Sequence, residues 1–283
     1  MDKGRRSILI TGCSSGIGYT CALGLQRRGY LVVASARRQT DVARLRDQGL
    51  NAVQLDLDDP ASIASGLEQA LALTGGSLYA LFNNGAYGQP GAVEDLSRDC
   101  LRAQFETNLF GWHELTCRVI PMMRSQGEGR IVQNSSILGL VTMPYRGAYV
   151  ASKFALEGLT DTLRLELAGT GIGVSLIEPG PILSSFRDNA VKKWREYIDT
   201  EHSPHKDAYL AMERRLKKVG PAAPFTLPPE AVLKRLIHAL ESPRPQPRYH
   251  VTTPTYVLAG LRRVLGTRLL DRVLHRVSGG GAR

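Results

Sequence analysis

Short runs of β-branched and aliphatic residues alternate with longer stretches whose apolar positions recur every three or four residues, from residue 7 to about residue 252. Side chains alternate faces along a strand and return to one face every 3.6 residues along a helix, so the pattern predicts repeated βα units. The predicted strands are 7–11, 30–35, 51–55, 78–82, 129–134, 173–178 and 247–252. The predicted helices are 17–28, 41–48, 60–73, 98–124, 148–169 and 229–241. Leu31-Val32-Val33-Ala34 and Val174-Ser175-Leu176-Ile177 are nearly continuous apolar runs, which suits strands covered on both faces. The expected fold is α/β: a doubly wound parallel sheet in a single domain over 1–253, followed by a basic amphipathic helix and tail over 254–283.

In such sheets ligands sit beyond the carboxyl ends of the strands, so the residues after each strand carry the candidate chemistry. After the first strand comes Thr11-Gly12-Cys13-Ser14-Ser15-Gly16-Ile17-Gly18, a glycine-rich turn opening a helix. Missing side chains let backbone approach a pyrophosphate, and a helix N-terminus favours its charge. The candidate cofactor residues here are Gly12, Ser14, Ser15, Gly16, Ile17 and Gly18. After the second strand stand Arg37 and Arg38, where a site built for a ribose 2′-hydroxyl would present an acid. Guanidinium binds phosphate oxygens in a fork, so the pair predicts NADP(H) over NAD(H).

Tyr149 and Lys153 lie four residues apart in a predicted helix and therefore share a face. A neighbouring cation favours tyrosinate, so this spacing predicts a phenol whose pKa is drawn down from its ordinary value of about 10.

With the glycine turn at 11–18 and Tyr149-Val150-Ala151-Ser152-Lys153 in this order and separation, the chain resembles the short-chain dehydrogenase/reductase family in its single-domain form, over most of residues 7–252. Further matching stretches are Leu55-Asp56-Leu57, Asn83-Asn84-Gly85, Asn108, Ser135-Ser136 and Pro179-Gly180-Pro181-Ile182. The resemblance implies that Asp56 and Leu57 contact the adenine and that Asn83 and Gly85 line the cofactor ribose. It further implies that Pro179, Gly180, Ile182 and Ser184 lie at the nicotinamide, and that Tyr149 and Lys153 also touch the cofactor. It implies a catalytic set of Asn108, Ser136, Tyr149 and Lys153, with Tyr149 moving the proton and Asn108 holding a water. Ser136 stands thirteen positions before Tyr149, and Ser135 is its rival; adjacent side chains of an extended peptide point apart, so one of the two serves. One departure stands out: the family's Asn-Asn-Ala-Gly is here Asn83-Asn84-Gly85-Ala86, which leaves the local turn open.

Motifs closest to hydroxysteroid and retinol dehydrogenases and bacterial aldehyde reductases imply a hydrophobic carbonyl compound or the matching alcohol. Phe186, Trp194, Tyr197, Tyr209, Met212 and Phe225, with Met143, Pro144 and Tyr145, either form a lid over it at about 184–226 or pack on the domain itself.

Charge adds one asymmetry. Residues 1–186 hold 17 Lys and Arg against 17 Asp and Glu, and the remainder holds 19 against 9, which accounts for the net +10. From Thr255 to Val277, Leu261, Val264, Leu265, Leu269, Leu270, Val273 and Leu274 oppose Arg262, Arg263, Arg268, Arg272 and Arg276. This helix could dock on its own domain, join a homodimer or homotetramer interface, or lie on an anionic membrane surface. No aromatic-interleaved basic stripe suggests nucleic acid. Four cysteines without a C-x-x-C pair imply neither a disulfide framework nor a zinc site, and His202-Ser-Pro-His205 reads as a solvated loop, so no metal is expected. The early apolar run at Ile8-Leu9-Ile10 is too short for a signal segment or a membrane span, which predicts a cytoplasmic protein. A non-enzymatic NADP(H)-binding sensor is the alternative reading; it has no use for the four catalytic candidates.

Overall fold

The computed structural model describes residues 6–216, 220 and 223–278. Seven strands form one sheet: β1 (Ser7–Ile10), β2 (Leu31–Ala36), β3 (Asn51–Gln54), β4 (Ala80–Asn83), β5 (Gly129–Asn134), β6 (Ile172–Glu178) and β7 (Arg248–His250). Every pairing is parallel and the order is β3-β2-β1-β4-β5-β6-β7. The chain winds outward in both directions from the β1/β4 neighbours, so their carboxyl ends splay their following loops apart and open a crevice.

Parity along the strands explains the two cores. Ile8 and Ile10 of β1 with Val32 and Ala34 of β2 face one layer, together with Cys21 and Leu25 of α1 (Gly16–Arg27), Val42 and Leu45 of α2 (Gln39–Asp47), and a later helix at 230–241. Leu9 and Val33 point the other way, towards α3 (Pro60–Leu73) and the helices after β4 and β5. Both faces are apolar because both are covered, which is why the strands read as continuous rather than alternating. Helix starts follow local chemistry: Asp59 accepts the Ala61 N–H to cap α3 with Pro60 in its first turn, and Ser97 accepts the Cys100 N–H to cap α4 (Arg98–Phe105).

The helix expected over 98–124 is not continuous. After α4 a wider π turn occupies Glu106–Phe110, and a regular helix, α5 (Gly111–Gln126), follows. The insertion turns Asn108 inward, where its amide donates to the Tyr87 carbonyl and its oxygen accepts the Tyr87 N–H. Gly111 is pressed so close to the Leu57 carbonyl that a Cβ would lie 2.1 Å from it. α6 (Gly147–Glu166) then carries Tyr149 and Lys153 into the crevice. Beyond β6 come α7 (Phe186–Tyr197), α8 (Lys206–Leu216) and α9 (Glu230–Glu241). The expected lid span includes residues 217–219 and 221–222, and the glycine-biased tail runs past Ser278; those positions lie outside the described residues.

The C-terminal helix expected over 255–277 is also split, into α10 (Thr253–Val264) and α11 (Thr267–Val277). Leu265 is extended and Gly266, a weak helix former, precedes α11. The break folds α11 back, so that Leu258 and Leu261 of α10 and Leu270, Val273 and Leu274 of α11 share one apolar patch with Ile137, Leu138, Val141 and Val150. The docked arrangement therefore uses part of the apolar stripe inside the molecule, whereas Val264 and Leu269, like Arg263, Arg268, Arg272 and Arg276, remain exposed. Among the described residues no helix is long and apolar enough to cross a membrane.

Candidate active site

A cavity of about 460 Å³ opens beyond β1, β4, β5 and β6, and most of the predicted site residues meet on its wall. Gly12, Ser14, Ser15, Gly16 and Ile17 form one end. Gly12 and Gly16 take positive φ angles of 69° and 57°, where a side chain would be strained. A Cβ on Gly12 would lie 2.5 Å from Gly85 Cα, and one on Gly18 would lie 2.3 Å from the Gly12 carbonyl oxygen. Ser15 precedes α1 without a side-chain cap, so the first amides of that helix keep their donors for an anion. The cradle fits a pyrophosphate.

The reversed Gly85-Ala86 order acquires a physical reason here. Gly12 and Gly85 pack backbone against backbone, and the Thr11 hydroxyl accepts the N–H groups of both Asn84 (2.8 Å) and Gly85 (2.9 Å). Asn84 lines the cavity, whereas the Asn83 side chain is wholly buried behind it and donates to Thr116 at 3.0 Å. Of the two asparagine side chains at this strand end, Asn84 rather than Asn83 therefore faces the cavity, a consequence of strand parity. Arg37, Arg38, Asp56 and Leu57 lie outside the cavity wall at the ends of β2 and β3; both arginines are exposed. Arg44, absent from the sequence reading, joins this edge by donating to the Ser14 carbonyl at 2.6 Å while pairing with Asp41 at 2.8 Å.

At the other end Tyr149, Lys153 and Ser136 converge. The Ser136 hydroxyl lies beside the Tyr149 hydroxyl and accepts the Leu138 N–H at 3.1 Å, while the Ser135 hydroxyl lies beside Glu157. The Lys153 ammonium is buried and donates to the Asn134 carbonyl at 2.9 Å. Burial lowers the Lys153 pKa to about 7, with Glu157 one turn along α6 opposing the fall. Burial likewise pushes Tyr149 up to about 12, against the lowering influence of Ser136. The spacing predicts that the lysine draws the phenol down; instead burial is the largest influence on Tyr149 and raises it, with Lys153 standing 5.7 Å from the centre of its ring. Asn108 is buried and its amide also reaches Ser152 at 3.3 Å, so its side chain is occupied with Tyr87 and Ser152.

Pro179, Gly180, Ile182 and Ser184 follow β6 along the same wall. The aromatic segment beyond them divides between the two roles open from sequence. Trp194, Tyr209 and Met212 form a small core with Ala92 and Ile198. The Tyr209 hydroxyl accepts the Ala92 N–H and donates to Asp95, and His205 contacts both Glu94 and Tyr145, fastening this segment to 92–95. His202 engages Asp199 instead, so the two histidines do not converge. Phe186 and Met212, with Met143, Tyr145, Leu138, Leu258 and Val277, line the cavity. Phe186 stands edge-on to Tyr149 at 5.5 Å between ring centres, and Phe225 is 63% exposed. Leu258 and Val277 carry no local signal for this role, because distance along the chain hides the fold-back of α10 and α11.

A doubly wound parallel sheet with a glycine cradle and a Tyr-Lys-Ser cluster on one crevice defines a nicotinamide-dependent oxidoreductase. The chain belongs to the short-chain dehydrogenase family, whose pattern it matches over residues 6–195. It is 44% identical over 270 residues to the uncharacterized oxidoreductase YbbO of Escherichia coli (strain K12), covering 95% of this chain and 94% of that one. It is 33% identical over 282 residues to retinol dehydrogenase 8 of Bos taurus, covering 93% and 86% respectively. A short-chain dehydrogenase from Streptomyces avermitilis superposes with a TM-score of 0.76 at 26% identity, over 99% of this chain and 97% of that one.

Proposed function

We propose that the chain transfers a hydride between NADP(H) and a hydrophobic aldehyde or ketone, or the matching alcohol. The convergence of Tyr149, Ser136 and Lys153 opposite a glycine cradle carries this reading. The nicotinamide, when bound, supplies or accepts the hydride. In reduction Tyr149 gives its phenolic proton to the substrate oxygen, and Ser136 donates a hydrogen bond to the same oxygen, opposing the charge that develops there. Lys153 holds the ribose and favours the phenolate left behind. The π turn brings Asn108 inward, and its side-chain oxygen, which among the described residues accepts only the Tyr87 N–H, would hold the water that returns a proton through Lys153. In oxidation the same tyrosine accepts the proton.

NADP(H) is favoured by the exposed Arg37 and Arg38 at the end of β2, with no acid at those two positions. Arg37→Ala is expected to raise the KM for NADPH at least about tenfold, on the order of one charge-assisted hydrogen bond, and to leave that for NADH nearly unchanged. Steady-state kinetics with both cofactors check this. Equal changes for the two would remove the basis for the preference.

The apolar wall of Leu138, Met143, Phe186, Leu258 and Val277 suits a hydrophobic substrate, and the retinol dehydrogenase relative agrees with that chemistry. Phe186→Ala opens the cover over Tyr149 and is expected to raise the KM of a long-chain aldehyde about tenfold or more, with a smaller effect on acetaldehyde. A panel of hydrophobic aldehydes, ketosteroids and retinal with NADPH and NADH, read by nicotinamide absorbance, tests function, cofactor and substrate class together. Tight NADPH binding with no turnover in either direction would favour the sensor reading.

A further inference from the structure

Trp112 is wholly buried and has no part in the cavity wall, yet it touches both halves of the site. The Lys153 ammonium sits 4.2 Å from the centre of its ring, well within the range of a cation–π contact. Its indole N–H donates to the Gly85 carbonyl at 2.7 Å. Gly85 in turn is packed against Gly12 of the glycine cradle. Trp112 stands one helical turn after Asn108, on the inward face that the π turn creates.

We propose that Trp112 is a positioning residue for Lys153: its ring face holds the ammonium towards the tyrosine, and its N–H ties that ring to the turn that cradles the cofactor. The idea rests on the reading of Lys153 as a site residue. A buried ammonium has three donors to satisfy, and only one is spent on the Asn134 carbonyl from β5. The ring of Trp112 from α5 offers a second, non-titrating partner in a desolvated place, where such contacts are strongest. The other groups facing the ammonium are Tyr149 and Glu157 on its own helix, and behind Glu157 stand Glu178 of β6 and Arg248 of β7. Among them Glu157 is the carboxylate that bears on Lys153. Trp112 therefore stabilises the charged lysine without adding a second acid to the site.

The test combines kinetics with a spectroscopic signature. If the ammonium is the active form, carbonyl reduction falls as pH rises through the Lys153 pKa. In Trp112→Leu the falling limb of kcat/KM should move down by about one pH unit, as the loss of a desolvated cation–π contact implies. Trp112→Phe keeps a ring face and loses the N–H, so its limb should move less while its KM for NADPH rises. A merely structural tryptophan would lower thermal stability and leave the limb in place. Should Trp112→Leu not fold, the fluorescence of Trp112 in a Trp194→Phe background should titrate with the midpoint of the kinetic limb, and Lys153→Met should abolish that titration. An unchanged limb in Trp112→Leu, or a fluorescence titration that survives Lys153→Met, overturns the proposal. Full turnover in Lys153→Met would instead overturn the reading of Lys153 on which it rests.

Discussion

Tyr149→Phe is expected to lower turnover by about 10³-fold while leaving the affinity for NADPH within a factor of two or three. The variant keeps the ring that Phe186 covers at 5.5 Å and removes only the hydroxyl facing Ser136. A positioned general acid contributes roughly 10²–10⁴ to rate, so the loss belongs in kcat and not in cofactor binding. The pH dependence follows from the same group. Burial pushes the phenol up to about 12, so the protonated form needed for reduction persists through neutral pH, and the phenol itself limits reduction only as pH rises towards that value. Single-turnover reduction and fluorescence titration of NADPH separate the two effects. Turnover within tenfold of the parent chain would show that the proton comes from elsewhere.

The parts of this site that sequence made legible are those fixed by spacing within one element. Tyr149 and Lys153 share a helix face, and Gly12, Gly16 and Gly18 lie in one turn, so period and local conformation were enough. Parity was enough to separate Ser135 from Ser136 as neighbours with different surroundings, though not to say that Ser136 would lie beside Tyr149 and Ser135 beside Glu157. What depended on tertiary approach stayed hidden. The inward turn of Asn83 and outward turn of Asn84 depend on where β4 meets Thr11 and Thr116. The π turn that breaks the helix over 98–124 depends on Gly111 meeting the Leu57 carbonyl and Asn108 meeting Tyr87, contacts that no periodicity records. The fold-back at Gly266 likewise places Val277 on a cavity whose first residue is Gly12. The phenol was misjudged for a related reason: spacing shows that a cation is near and says nothing of the burial that raises Tyr149.

The second large effect is on stability and comes from Arg248, which sequence placed in a strand without a role. From β7 its guanidinium donates to Glu157 and Asp161 of α6 and to Glu178 of β6. Glu178 is fully buried, Glu157 nearly so, and His250 abuts the second oxygen of Glu178. One cation thus joins a helix to two strands and offsets the buried carboxylates of Glu157 and Glu178, with the partly exposed Asp161 as its third partner. Arg248→Met keeps most of the side-chain volume but leaves those charges uncompensated, and breaking such a buried cluster costs about 3–5 kcal/mol. At roughly 2–4 °C per kcal/mol the midpoint should fall by about 6 °C or more. The sign of the pH dependence identifies the cause. Burial and the charge of Glu178 already raise Glu157 to about 7, so the folded chain holds that proton more tightly than the unfolded one, and its stability declines as pH rises from the ordinary carboxylate range towards 7. Losing Arg248 raises Glu157 further and steepens that decline, so the deficit of Arg248→Met should be largest above pH 7 and shrink towards pH 5. Adding Glu178→Gln removes one of the stranded charges and should restore part of the loss. Denaturant unfolding of the single and double variants across this range checks the argument. A deficit independent of pH and untouched by Glu178→Gln would mean that Arg248 acts through packing of its stem rather than through its charge.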